Sequence, residues 1–225
     1  MSSVETKGDD LTARARIRNV AIAHFARDGF TRAKVRSIAA EAGVSVGLIF
    51  HHFGSKDGLR AACDAYVLAT VSDRARAAAR PSGAGLPELL DAYLADPEAY
   101  RRQALYLARA IEEDVPAAGP LVEALVAEAE AIFRAGAEDG SFRHTDDPRA
   151  LAVLTLIISQ GILTMPAALV RALGAEDFGP EALRRLTGPA LELFTRGVYV
   201  DDSVTRSATD AWIRSMARPP NPGKD

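Results

Sequence analysis

Residues 35–60, VRSIAAEAGVSVGLIFHHFGSKDGLR, leave this chain few folds to choose from. The stretch reads as a helix over Val35–Ala42, a sharp turn at Gly43, a short helix over Ser45–Phe53, and a third helix capped by Ser55. A glycine belongs where the chain reverses, because it alone turns there without a steric penalty. Ser45 is placed to cap the second helix by accepting from its exposed backbone N–H groups. Ile49 and Phe53 are four apart and share a face with Val44, which predicts packing against Ile38 and Ala39. The opposite face carries Val46, Gly47, Phe50 and His51. A short helix with one face in the core and one outside fits a major groove about 12 Å wide. Gly47 permits close approach there. Arg36 brings five fixed donors for guanine edges or phosphate. Lys56 opens the next helix, where backbone N–H groups also attract phosphate.

The rest of the chain predicts an all-α protein. Strand signals are nearly absent, and Ala, Leu, Arg and Glu dominate. Ile17, Val20, Ala21, His24 and Phe25 fall on one helical face between Thr12 and Asp28, with Gly29 as the stop. Ser55 starts a long helix towards Ala79. Beyond the turn chemistry of Pro81–Gly85, helices are expected from Pro87 to Leu94, Pro97 to Glu113, and Leu121 to Glu138. A further apolar helix runs from Asp147–Pro148 to Leu173 with a kink at Pro166. Pro180–Val200 follows, interrupted at Gly188–Pro189, and Ser203–Ala217 carries Trp212. The expected organisation is a disordered arm over 1–10, a helix-turn-helix head with its linking helix over 11–80, a larger helical body over 81–217, and a disordered tail over 218–225.

Charge supports that division. Residues 1–80 hold 13 Lys+Arg against 8 Asp+Glu, whereas residues 81–225 hold 14 against 22. A basic N-terminal third on an acidic body points to a nucleic-acid contact near the N-terminus. The single cysteine, Cys63, rules out an intrachain disulfide and fits a reducing cytosol. The polar start has no apolar core of a signal peptide, and the apolar run Leu151–Val170 is broken by Thr155, Ser159, Gln160, Gly161, Thr164 and Pro166. A cytoplasmic protein with no membrane span is therefore expected.

At Thr12–Val71 the chain resembles the DNA-binding domain of the TetR family of transcriptional repressors. The matching pieces are FARDGF at Phe25–Phe30, IAAEAGVS at Ile38–Ser45, and LIFHHFGSKDGL at Leu48–Leu59. The resemblance covers about a quarter of the chain; the later helices match the family in number and length rather than in motif. It implies a homodimer that binds a palindromic double-stranded operator through two recognition helices and is released by a small molecule held in the second domain. By position, Arg36, Val46, Gly47 and His51 match base-reading sites, and Phe50, His52 and Lys56 match phosphate-contacting ones. Ser45 joins this DNA-binding set at the head of the recognition helix. Where the family usually has tyrosine, this chain has Phe50, which has no hydroxyl to donate. Apolar contact with sugar or a thymine methyl is then its expected role, and direct base contacts should be few, led by Arg36 and His51.

The remaining assignments are coarser. Tyr93, Tyr100, Tyr106, Phe133, Gln160 and Met165 lie on helices that usually line the ligand pocket, with Arg109 or Gln160 to orient a polar group of a small hydrophobic effector. Leu154 and Ile158 on the apolar helix, and Leu186, Leu193 and Phe194 on a later one, are expected at a dimer interface. His51–His52 are adjacent and point about 100° apart on a helix, a poor metal-ligand pair. His24 reads as a hydrogen-bonded core histidine and Cys63 as packing. No nucleophile–base pattern, Gly-rich phosphate loop or cofactor motif is present, so no catalysis and no cofactor are expected. The alternative is an architectural, non-specific DNA-binding protein with no functional pocket; an enzyme on a helical bundle is the third reading.

Overall fold

Helix follows helix through the described part of the chain. A computed structural model describes residues 2–80, 84–113, 119–165, 167–197 and 206–208, and contains no strand among them. The order is α1 (Ser2–Asp28), α2 (Val35–Ala42), α3 (Val46–Phe53), α4 (Lys56–Ala78), α5 (Leu86–Ala95), α6 (Pro97–Glu112), α7 (Gly119–Asp139), α8 (Pro148–Leu163), α9 (Ala167–Ala172) and α10 (Pro180–Thr195).

The predicted punctuation holds in the head. Gly43 is left-handed at φ 65°, and its turn is closed by Val44 N donating to Ala39 O at 3.0 Å. Arg16 Nε of α1 donates to Ala42 O at 2.9 Å and so satisfies an end carbonyl of α2. Ser45 Oγ accepts from Leu48 N at 3.1 Å, and Ser55 Oγ from Gly58 N at 3.0 Å, one cap for each of α3 and α4. Pro97 and Pro148 open α6 and α8 behind Asp96 and Asp147, whose side chains accept from Ala99 N and Ala150 N.

Several expected boundaries move. Residues 2–10 belong to α1 instead of forming an arm. No proline interrupts them. The long helix expected to kink at Pro166 is two helices. Proline disfavours the helical conformation at Met165, and α8 has ended by Thr164. Conversely, Pro189 does not interrupt α10, because one missing N–H removes one helical bond without ending the helix. Of the expected last helix, residues 206–208 are helical; Trp212 and the tail lie outside the described residues.

The chain forms two compact units, residues 1–166 and residues 167–225. A single core runs through the first unit. Ile17, Ala21 and Phe25 of α1, Ile38 and Ala42 of α2, Ile49 of α3, and Leu59, Cys63 and Val67 of α4 continue into Tyr106, Leu107 and Ala110 of α6 and Leu121 and Leu125 of α7. Both α1 with α6 and α4 with α7 are packed pairs, so the head shares its apolar interior with the helices after it. The second unit comprises α9 and α10, in which Arg185 of α10 donates to Leu173 O.

Two expectations about core residues agree with the structure. His24 is buried, with Nε2 2.9 Å from Glu41 Oε2 and Nδ1 3.0 Å from Arg27 Nη2. A guanidinium can only donate, so Nδ1 accepts and the ring proton sits on Nε2, joining α1 to α2. Cys63 is buried with Sγ 3.7 Å from Arg18 O, and burial pushes its thiol pKa up. It is a packing residue, not a thiolate nucleophile.

Candidate nucleic-acid interface

The recognition element is α3, and its orientation follows from burial. Ile49 has no exposed surface and Phe53 is half-buried, with the Arg14 guanidinium carbon 5.6 Å from its ring centroid. Burying an isoleucine stabilises by roughly 1.5–3 kcal/mol, enough to fix so short a helix in one rotation about its axis. Gly47, Phe50 and His51 then face outward, Phe50 being 43% exposed. Val46 departs from expectation: it is half-buried against the core edge, so it packs α3 down instead of presenting a free face. His52 is also half-buried, edge-on to His51 at 5.6 Å and to Phe53 at 6.0 Å. The outward surface of α3 is therefore narrow and nearly devoid of donors.

Donors come from its flanks. Arg36 on α2 is exposed and makes no ion pair among the described residues. Lys56 at the start of α4 donates from Nζ to Thr31 O at 3.0 Å, which leaves further N–H bonds for another acceptor and ties α4 to the α1–α2 turn. Around the first turn of α2 a shallow cleft is lined by Arg27, Asp28, Arg32, Lys34 and Ser37. Arg27 is 2.9 Å from Asp28 and holds that carboxyl below its usual range by hydrogen bonding. Arg32 is fixed by donating to Asp28 O at 3.0 Å, and Lys34 is exposed. Sequence reasoning passed over Arg32 and Lys34; the alternation Arg32–Lys34–Arg36 just before and into α2 was the available signal.

The α1–α2 turn that carries these cations is gripped from behind. Glu113, just past α6, accepts from Phe30 N at 3.1 Å. The Phe30 ring meets Tyr106 edge-on at 5.1 Å, and Arg60 of α4 lies 4.0 Å from its centroid. Arg60 is also 3.6 Å from Asp64, whose Oδ1 accepts from Tyr106 Oη at 2.5 Å. Burial raises the Asp64 pKa against the opposing pull of Tyr106 and Arg60.

Tyr106 is thus fully buried in this cluster between α1, α4 and α6 and does not line a pocket as expected. The other expected pocket residues are dispersed. Gln160 Nε2 donates to Ala104 O at 3.1 Å, Arg109 pairs with Glu112 at 3.0 Å, and Phe133 packs on Phe142 at 5.4 Å. Met165 is half-buried beyond the end of α8. Only Tyr93 and Tyr100 are brought together, edge-on at 5.4 Å. Of the expected interface residues, Leu154 is 52% exposed and Ile158 half-buried on α8; on α10, Leu193 and Phe194 are 44% and 54% exposed and Leu186 is half-buried. No group of three or more His, Cys, Asp or Glu side chains suited to a metal occurs among the described residues, nor any helix long and apolar enough to cross a membrane.

Comparison with known proteins gives a consistent result. The family model described as bacterial regulatory proteins, tetR family, matches residues 17–63, and that described as tetracyclin repressor-like, C-terminal domain, matches residues 98–200. The HTH-type transcriptional regulatory protein RaaS of Mycobacterium tuberculosis is 35% identical over 199 residues, 85% of this chain and 89% of that protein. The HTH-type transcriptional repressor AcnR of Corynebacterium efficiens is 37% identical over 98 residues, which is 44% of this chain and 49% of AcnR. Among solved structures, FadR from Bacillus subtilis in complex with stearoyl-CoA aligns with a TM-score of 0.58 at 16% identity, over 82% of this chain and 99% of that one. The TetR family regulator PfmR from Thermus thermophilus aligns with a TM-score of 0.56 at 18% identity, over 83% of this chain and 97% of PfmR. At these identities the two structures speak for the fold alone.

Proposed function

Since the chain belongs to the TetR family of DNA-binding transcriptional regulators, we propose that it is a homodimeric repressor that binds a palindromic operator and is released from it by a small molecule. The observation that carries this reading is α3: a capped helix pinned by Ile49, with Gly47, Phe50 and His51 outward and Arg36 and Lys56 on either side. Gly47 lets the helix approach the groove floor, Phe50 offers apolar contact to sugar or a thymine methyl, and Arg36 and His51 supply the base-edge bonds. Lys56, with Arg32 and Lys34 added from the cleft beside α2, holds the phosphates and fixes register. The exposed apolar faces of α8 and of α10 support the dimer, which would present two such helices to successive major grooves.

Footprinting on DNA upstream of the chain's own gene tests the reading. A discrete palindromic footprint is expected, lost when one member of a panel of small apolar compounds is added. Uniform protection that vanishes at modest salt would instead favour an architectural role without sequence preference. Because α3 presents so few donors, specificity should rest heavily on a few positions contacted by Arg36 and His51 and on DNA deformability between them.

A further inference from the structure

His24 links the cleft beside α2 to the interior of the head. Its ring is 3% exposed, yet both nitrogens meet groups that reach solvent. Nε2 lies 2.9 Å from Glu41 Oε2 on α2, and Nδ1 lies 3.0 Å from Arg27 Nη2 and 3.5 Å from Asp28 Oδ2 on α1. Helices α3, α4 and α6 also pack on α1, but among the described residues none of their ionisable side chains bonds to or pairs with the ring. Arg27 and Asp28 line the cleft together with Arg32, Lys34 and Ser37. The Arg27 fork is closed on Asp28, with Nε 2.9 Å from Oδ1 and Nη2 3.0 Å from Oδ2.

This arrangement requires a neutral imidazole. Nη2 can only donate, so Nδ1 must keep its lone pair. A proton on Nδ1 removes that lone pair and sets an imidazolium against a guanidinium. It also makes Nδ1 a donor, and an acceptor already stands 3.5 Å away in Asp28 Oδ2. Asp28 is ionised throughout the range in which histidine titrates, because the Arg27 hydrogen bond holds its carboxyl below the usual value. Glu41 accepts from Nε2 in either state, so the joint between α1 and α2 persists. Protonation therefore deprives Arg27 of one partner and makes it compete for the other.

We propose that Arg27 is a proton-gated phosphate contact: uptake of a proton by His24 transfers Asp28 to the imidazolium and frees Arg27 to join Arg32 and Lys34 on the operator backbone. This rests on the reading of the α2 cleft as part of the DNA interface. The Arg27 side chain is 59% exposed at the cleft, so its released guanidinium reaches a phosphate there without a change of fold. Protonation also cancels the Asp28 charge that opposes an anion in the cleft. Both effects have the same sign, and operator binding tightens as pH falls through the titration of His24.

Fluorescence anisotropy of the full-length protein on an operator fragment, between about pH 5 and 8 and over a salt series, tests the assignment. The reference is His24→Gln, whose amide can still donate to Glu41. His51 and His52 are present in both proteins, so the difference isolates His24. As pH falls, wild type should gain roughly three- to tenfold in affinity over the variant. Its slope of log affinity against log salt should steepen by about 1, the mark of one more neutralised phosphate. Arg27→Gln, at an exposed position that tolerates substitution, should abolish both the gain and the steepening. In the free protein, the Arg27 Nε–H resonance should shift along the His24 titration in NMR spectra. Parallel pH profiles for wild type and His24→Gln, a gain that survives Arg27→Gln, or an Arg27 resonance indifferent to the His24 titration would each overturn the proposal. The DNA reading fails separately, if no operator footprint forms at any pH, and the NMR titration then still decides whether His24 gates Arg27.

Discussion

Gly29 and Asp64 show how single residues set this regulator's behaviour. Gly29 is left-handed at φ 82° and buried beside Glu113, so a Cβ there would collide with the Glu113 carboxylate. Gly29→Ala combines a left-handed alanine, roughly 1–2 kcal/mol, with displacement of the group that accepts from Phe30 N. Urea unfolding should show a loss of at least about 1 kcal/mol, and an unchanged midpoint would refute the role given to Glu113. Asp64 makes a prediction in pH. Its folded-state pKa lies above its ordinary value of 3.8, with burial as the main cause. A carboxyl raised on folding contributes stability that is complete below its unfolded pKa and is lost as pH rises through the folded one. Unfolding free energies of wild type minus Asp64→Asn should therefore fall as pH climbs from below 3.8 through that raised pKa. A difference that rises with pH would mean Arg60 and Tyr106 outweigh desolvation.

At the scale of elements, the contrast between α3 and its flanks separates two kinds of DNA contact. Phe50 is exposed on α3, and on the proposed docking a hydroxyl there would reach a phosphate, so Phe50→Tyr should tighten operator binding by up to about tenfold through one charge-assisted hydrogen bond. Tyrosine is neutral, so the slope of log affinity against log salt should not change. Lys34→Ala should do the reverse, weakening binding across sequences and reducing that slope by about 1. Filter binding over a salt series distinguishes them. The helices themselves were legible from the sequence because their ends are written in local chemistry: Gly43, Ser45, Ser55, Asp96–Pro97 and Asp147–Pro148 all act within one turn of chain. Val46 was misplaced because a residue at the first position of α3 faces whichever neighbour tertiary packing puts there. Tyr106 was misread for a related reason: an aromatic on a body helix looks alike in sequence whether it lines a ligand or, as here, seals Phe30 and Asp64 into the core.

For the whole molecule the decisive question is what covers its apolar surface. On α8, Leu154 and Ile157 are 52% and 62% exposed; on α10, Leu191, Leu193 and Phe194 are each more than two-fifths exposed. Such stretches are costly in water and mark association surfaces when contiguous on a helix. A second copy of the chain is the proposed cover, and symmetry makes the same patch serve both partners. Each α10 carries Leu193, so one substitution alters the interface twice. Leu193→Glu sets two carboxylates against apolar surface, and the desolvation penalty of those charges should exceed what the rest of the patch contributes. Light scattering should then report half the wild-type mass, and the thermal midpoint should lose its dependence on protein concentration. Operator affinity should drop by about 10²-fold or more, because the second head no longer benefits from the high effective concentration that tethering gives. Ile111→Glu on α6, at a comparably exposed apolar position, should leave the mass unchanged. A Leu193→Glu protein that retains the wild-type mass would exclude α10 from the dimer and leave α8 alone to supply it.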